Sequence, residues 1–381
     1  MAYQALYRKY RPKNFAEVIG QDHITKTLSN QIKNNQISHA YLFCGTRGTG
    51  KTSIAKIFAK AVNCEKSVDG SPCNKCDICK NLSNASNFNV QEIDAASNNG
   101  VEYVRELREN VKYTPVGCKY KVYIVDEVHM LSESAFNALL KTLEEPPAYA
   151  IFILATTEPH KIPETILSRC MRCDFKLVEI PALESLLKKI FADSKITCDS
   201  IAINLLAKLG EGSVRDTLSL ADMCAAFSNN AITYETVIQC SGTTDKSTLH
   251  ELALSVVQKN SKKILEIIHD FSKAGKIISK LNKDLVEYLR DVIVIQTSEN
   301  YMKILVYPEN IIDGMVKISK IATPSNIIHL LQKLSSLEQE FRFTTNQRAL
   351  FEITLLSLLE ESSLESRVSA LEEKLKTMVL P

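Results

Sequence analysis

Gly45-Thr46-Arg47-Gly48-Thr49-Gly50-Lys51-Thr52 lies between a short apolar run, Ala40-Tyr41-Leu42-Phe43-Cys44, and a helical pattern over 52–62. The spacing G-x-x-x-x-G-K-[ST] is that of a phosphate-binding loop in its strand–loop–helix setting. Glycines let the backbone fold tightly, so that the N–H groups of 45–50 and of the helix start at Ser53 face an anion. Lys51 is then placed to reach the β- and γ-phosphates, and Thr52 to hold Mg²⁺. A plain glycine-rich turn before a helix would need neither the lysine nor the hydroxyl at these places.

Working outward, short apolar runs alternate with helical patterns through the first 180 residues. Strands are expected at 40–44, 90–94, 121–126 and 151–155, and helices near 21–35, 52–62, 100–111 and 132–145. Such alternation implies a parallel sheet with helices on both faces. Val122-Tyr123-Ile124-Val125-Asp126-Glu127 is an apolar strand ending in two carboxylates. Asp126 suits the metal beside the phosphate loop, and Glu127 suits a water that attacks phosphorus. The bland reading is that two acids simply end a buried strand. Beside the loop, hydrolysis of ATP is the inference, with retention of nucleotide without turnover the weaker option.

Leu154-Ala155-Thr156-Thr157 brings hydroxyls to another strand end, where they can sense the γ-phosphate. Arg169, in Ser168-Arg169-Cys170, can complete a neighbour's site by stabilising transition-state charge. Arg215, in Gly212-Ser213-Val214-Arg215-Asp216, opens a helix and can reach its own nucleotide; Ser213 suits the cap of that helix. Taken singly, each arginine reads first as a surface ion-pair residue; their order along the chain is what lifts them.

Cys64, Cys73, Cys76 and Cys79 form C-x8-C-x2-C-x2-C. Four thiolates satisfy tetrahedral Zn²⁺ and leave no position for water, so the site would be structural. An iron–sulfur cluster is the rival, but Cys79 is followed by Lys80 and lacks the Cys-Pro ending of that pattern. Cys44, Cys118, Cys170 and Cys173 read as core or surface residues, and His129 and His160 as packing or surface histidines.

Length and composition fit this reading. With 381 residues the chain calls for two or three domains, and 45% hydrophobic with 24% charged residues excludes wholesale disorder. The formal net charge is only +2, yet residues 1–60 hold ten Lys/Arg against two acids. That local excess suits a polyanionic ligand. No apolar run reaches the ~18 residues of a membrane span and no signal-peptide core opens the chain, so a cytoplasmic protein with no membrane partner is expected. In that reducing setting the eleven cysteines are expected as thiols.

Beyond Pro181 the strand signal fades. Short helices are expected near 182–193, 198–209, 213–228 and 233–240, then an almost wholly helical stretch from 244 to 360. Leu364, Val368, Leu371, Leu375 and Met378 suggest a docked or fraying helix in a 361–381 tail.

Together these segments resemble the gamma/tau family of bacterial DNA polymerase III subunits, the AAA+ ATPases of the sliding-clamp loader. The likeness starts at Tyr7-Arg8-Lys9-Tyr10-Arg11-Pro12 and Phe15-Ala16-Glu17-Val18-Ile19-Gly20-Gln21. It runs on through the phosphate loop, the four cysteines, Glu92-Ile93-Asp94-Ala95-Ala96-Ser97, Asp126–Leu131, Leu139–Pro147 and Ser168-Arg169-Cys170. It is dense to about residue 225 and looser beyond.

The resemblance implies an α/β AAA+ P-loop domain over 1–180 with a zinc insert at 64–79. A helical lid would follow at 181–243, then an all-helical collar at 244–360 through which five subunits assemble. It makes Arg11, Val18 and Ile19 adenine-side contacts, Thr157 a sensor, Arg169 a trans-acting finger and Arg215 the lid sensor. Lys141 sits where the family approaches the DNA backbone, and Asn98 stands where a basic contact would be expected. ATP, Mg²⁺ and Zn²⁺ are the implied cofactors. The implied partners are other clamp-loader subunits, the sliding clamp and primer–template DNA, with single-strand-binding and polymerase components met indirectly. The activity implied is ATP hydrolysis that opens the clamp and loads it during DNA replication. The chain's end soon after the collar suggests the short, gamma-type form. Two rival readings are another AAA+ DNA-remodelling ATPase, such as a branch-migration motor, and a nucleotide-gated scaffold with little turnover.

Overall fold

β-Branched and aromatic runs set the sheet. In the computed structural model, which describes residues 4–82, 87–242, 244–305, 307 and 309–359, five strands form one sheet. They are β1 (Ala40–Cys44), β2 (Val90–Asp94), β3 (Lys121–Asp126), β4 (Ala150–Thr156) and β5 (Met171–Asp174). All pairings are parallel, in the order β2-β3-β4-β1-β5.

Side chains of a strand alternate between the two sheet faces, and here both faces are buried. Ala40, Leu42, Tyr123, Val125, Phe152 and Leu154 join one core with the helices Val101–Val111 and Glu133–Glu144. Tyr41, Phe43, Val122, Ile124, Ile151 and Ile153 join the other, with the helices Asp22–Lys33 and Lys51–Asn63. That is why the strands read as continuous apolar runs. Tyr123 stacks on Phe152 across β3 and β4 at a centroid distance of 5.3 Å.

Strand order sets where a ligand can sit. β1 and β3 both flank β4, so the loops leaving their carboxyl ends emerge side by side. Ligands of open α/β sheets bind at such a place.

The chain divides into two compact units. The first holds the residues up to Cys198 together with Ile203–Ala231. Beyond the sheet it contains the helices Ile180–Ser194 and Val214–Phe227 and most of Ser200–Leu209. Ser213 caps the Val214–Phe227 helix by accepting the Asp216 N–H at 3.2 Å, as its position predicts. The sequence reading finds no strand here, but Thr197–Cys198 and Ala231–Ile232 form a two-stranded sheet. Two residues each are too few to show a period.

From Tyr234 on, the described regular elements of the second unit are all helices. The helices Tyr234–Ser241, Lys246–Val257, Ser261–Lys273, Ile278–Thr297, Glu309–Ile321 and Pro324–Glu340 are followed by helical residues 347–359. Leu252, Ile268, Leu285, Met315, Leu334 and Phe351 are among the apolar residues of its core. The tail expected at 361–381 lies outside the described residues.

Candidate functional site

The loop after β1 bends where only glycine is at ease. Gly45, Gly48 and Gly50 have φ of +152°, +79° and +102°. A Cβ on Gly48 would also stand 2.0 Å from Ser213 Oγ, so the loop and the start of the Val214–Phe227 helix are in close approach. Val214 N–H donates to the Gly48 carbonyl at 3.1 Å. Gly50 leads directly into the helix Lys51–Asn63, which turns its free first-turn N–H groups toward the loop.

Lys51 is buried, and its ammonium donates to the Gly45 carbonyl at 2.7 Å and the Thr46 carbonyl at 2.9 Å. Burial pushes its pKa below the usual lysine value, while Glu127 and then Asp126 pull the other way. Thr49 braces the loop through a 2.8 Å bond from its hydroxyl to the Thr46 carbonyl. Arg47 is exposed at the tip.

Thr52 Oγ1 donates to Asp126 Oδ2 at 2.8 Å. Two oxygens at adjacent corners of an octahedron with bonds of about 2.1 Å lie roughly 3 Å apart, so this pair fits the demand of Mg²⁺. Asp126 Oδ1 accepts the Glu127 N–H at 3.0 Å, which fixes the carboxylate's other oxygen.

Glu127 has φ +48° and ψ 46°, a left-handed conformation uncommon for a side chain larger than Asn. The turn sends its carboxylate toward the end of β4. There Thr157 Oγ1 donates to Glu127 Oε2 at 3.0 Å, and His129 Nδ1 stands 3.5 Å from the same oxygen. His129 Nδ1 is also 3.1 Å from Thr156 Oγ1, and its Nε2 is 3.5 Å from Glu158. His129 thus packs as expected, and its packing partner is the acid of the site. The Asp-Glu-x-His spacing was the signal available for it.

Arg11 Nε donates to Ser53 Oγ at 3.0 Å. Val18 packs on the core that holds Tyr41 and Phe43, and Ile19 packs with Val178, Leu183 and Val214. Gln21 is buried and exchanges two hydrogen bonds with the Lys176 backbone, at 2.7 and 3.1 Å. Arg215 is exposed at the first turn of its helix, its guanidinium 5.3 Å from the Tyr7 ring centroid. The Cβ of Arg215 comes within 3.3 Å of the position a Gly48 side chain would take.

Arg169 is placed differently. Its guanidinium pairs with Glu144 Oε1 at 2.8 Å and donates to the Thr165 carbonyl at 2.7 Å, neither of them in the phosphate loop. Lys141 is exposed, and Asn98 donates to the Asp94 carbonyl at 3.1 Å.

The four cysteines converge. The sulfurs of Cys64, Cys73, Cys76 and Cys79 all lie within 4.8 Å of one another. Zn–S bonds of about 2.3 Å put tetrahedral sulfurs roughly 3.8 Å apart, close to the 4.0 Å between Cys73 and Cys79. N–H groups of Lys75 and Cys76 point at Cys73 Sγ, at 3.5 and 3.3 Å, and lower that thiol's pKa to about 6. Such bonds are those a thiolate ligand needs. Cys170 and Cys173 differ, since burial pushes them up to about 12 and 11 and leaves them as core thiols.

The family described as "DNA polymerase III, delta subunit" matches residues 20–179. That described as "DNA polymerase III clamp loader subunit, ATPase lid domain" matches 182–230, and "DNA polymerase III subunits gamma and tau domain III" matches 232–373. The DNA polymerase III subunit gamma of Buchnera aphidicola (subsp. Acyrthosiphon pisum) is 36% identical over 94% of this chain and 99% of its own length. The chain belongs to the DNA polymerase III gamma/tau family. DNA polymerase III subunit tau of Bacillus subtilis is 43% identical over 95% of this chain, which spans 64% of that protein. Among solved structures, the Thermotoga maritima RuvB branch-migration motor aligns with 65% of this chain and 79% of its own at 18% identity and a TM-score of 0.46.

In this family member the structure brings Thr52, Asp126, Glu127 and Thr157 together and sets Arg215 beside the loop. It leaves Arg169 on a separate patch.

Proposed function

We propose that this chain is an ATPase subunit of a replicative clamp loader, in which binding and hydrolysis of ATP drive opening of a sliding clamp and its loading onto primer–template DNA. The observation that carries the reading is the joined pair Thr52–Asp126 with Glu127 held beside it by Thr157. A phosphate loop alone binds nucleotide; a fixed second carboxylate has a task only if water is to attack.

In this reading the amides of 45–50 and the first turn at Ser53 bind the phosphates. Lys51 leaves the Gly45 and Thr46 carbonyls to pair with the β- and γ-oxygens. Arg11, Val18 and Ile19 flank the base. Thr52 and Asp126 hold magnesium, which when bound neutralises charge on the phosphate oxygens. Glu127 accepts a proton from the attacking water, and Thr157 keeps the carboxylate aimed. Arg215 contacts the nucleotide from the lid. Arg169 serves a neighbouring subunit's nucleotide, which suits a guanidinium lying away from its own loop.

The cysteine cluster holds zinc, which when bound ties the loop between Cys64 and Cys79 together. Its four-thiolate set leaves no open position for catalysis. We take 1–180 as the nucleotide-binding domain, 181–243 as the lid and 244–360 as the collar of a pentamer, in a cytoplasmic protein. No described helix is long and apolar enough to cross a membrane.

Turnover measured on an assembly reconstituted with partner subunits, clamp and primer–template DNA tests the reading. Stimulation by clamp and DNA together is expected. Turnover indifferent to both would point to another DNA-remodelling task, and no turnover at all to a scaffold.

A further inference from the structure

The second unit contains a cavity of about 800 Å³, within the size range of small-molecule sites. The sequence Asp245-Lys246-Ser247 starts the twelve-residue helix Lys246–Val257, and all three residues line the cavity. The Asp245 side chain makes no capping bond to the helix, and its carboxylate takes the Ser247 hydroxyl. The N-terminal end of the helix, where the macrodipole is positive, therefore borders this space.

Lys246 supplies a second and independent sign. Only 5% of it is exposed, and among the described residues no carboxylate lies within ion-pair distance of it. Its ammonium stands 5.0 Å from the Tyr307 ring centroid and 6.0 Å from that of Tyr288. Aromatic faces offset part of the cost of burying a cation, but not the loss of an anionic partner.

The other walls continue the pattern. Lys276 and Lys317 also line the cavity, against the acids Glu235 and Asp245. Gly314 faces His250, where a Cβ would come within 3.1 Å of Nδ1, and that nitrogen is 3.0 Å from the Tyr288 hydroxyl. After burial, the charge of Lys317 is the next cause holding the His250 pKa below its usual value, which places that ammonium close by. Tyr234, Ile238 and Ile311 add apolar surface, and the buried Tyr234 hydroxyl has no hydrogen-bond partner.

We propose that this cavity binds a small phosphate-bearing molecule with an apolar or aromatic body. The first-turn amides of Lys246–Val257 and the ammonium groups of Lys246, Lys276 and Lys317 hold the phosphate, and Tyr234, Ile238 and Ile311 hold the body. The site is separate from the phosphate loop and does not rest on the ATPase reading.

The test uses the full chain with its phosphate loop saturated by Mg–ADP. Inorganic pyrophosphate and AMP are titrated in turn, and amide hydrogen exchange is read over 244–250 and 311–317. Protection by both probes assigns recognition to the phosphate; protection by AMP alone adds a requirement for the nucleoside body. Lys276→Gln and Lys317→Gln, both at exposed positions, should each weaken the response about tenfold. Lys246→Met, which keeps volume without charge, should abolish it. Absence of protection with both probes overturns the proposal. So does protection undiminished in the lysine variants, or seen only with a DNA oligonucleotide.

Discussion

Thr157 Oγ1 donates a 3.0 Å hydrogen bond to Glu127 Oε2, so the residue leaving β4 fixes the acid that leaves β3. The two strands are neighbours in the sheet, and the register Val125↔Leu154 brings their ends level. Glu127 reaches this position through its left-handed turn, a conformation held by contacts from the adjacent strand.

Thr157→Val should therefore act through Glu127. A hydrogen bond to a charged group is worth about 1.5–3 kcal/mol, so turnover should fall roughly tenfold or more. ATP affinity should change little, because the phosphate loop is untouched. Stopped-flow binding beside steady-state turnover separates the two quantities. A loss confined to affinity would instead make Thr157 a ligand contact.

Arg169→Ala should leave nucleotide binding by the isolated chain unaltered, since its guanidinium contacts Glu144 and Thr165. In assemblies the same change should lower turnover about 10³-fold or more at the site of the neighbouring subunit. Mixed assemblies, in which only one subunit carries the change, reveal whose site is affected. A defect restricted to the substituted subunit's own nucleotide would remove Arg169 from its assigned role.

Cys76→Ser should release the metal from the cluster. Metal analysis should find about one zinc per unaltered chain and a small fraction of that in the variant. Protease cutting between 64 and 82 should become rapid, because the loop loses its cross-link. Iron and sulfide in the unaltered chain would transfer the site to a cluster instead.

Gly48→Ala strains the loop twice over. The position has φ +79°, and the new methyl would meet Ser213 Oγ, the cap of the Val214–Phe227 helix. A cost of about 1–3 kcal/mol is expected from the backbone and the displaced cap together. Denaturant unfolding measures it. Stability equal to that of the unaltered chain would show that the close approach of loop and helix does not persist in solution.

Much of this site was legible in the sequence because its chemistry needs fixed residue types at fixed spacings. The loop 45–52, the strand end at Asp126-Glu127 and the cysteines could all be named from the chain alone, and the fold brings each set together. What escaped was set by tertiary neighbours. Among the described strands β5 is an edge strand that pairs only with β1; its residues Met171, Arg172 and Asp174 are not buried, so no apolar run announced it. The place of His129 beside Glu127 depends on a turn of three residues and on β4, neither visible in local periodicity. The contact between Gly48 and Val214 joins residues 166 positions apart, beyond the reach of any window.

In the proposed reaction Glu127 activates water at a site assembled by Thr52 and Asp126. That role is tested most directly by comparing ATP binding and steady-state hydrolysis in Glu127→Gln within the reconstituted assembly. Affinity retained within a few-fold, with turnover reduced about 10²–10⁴-fold, is the predicted result. Turnover equal to that of the unaltered chain would contradict it.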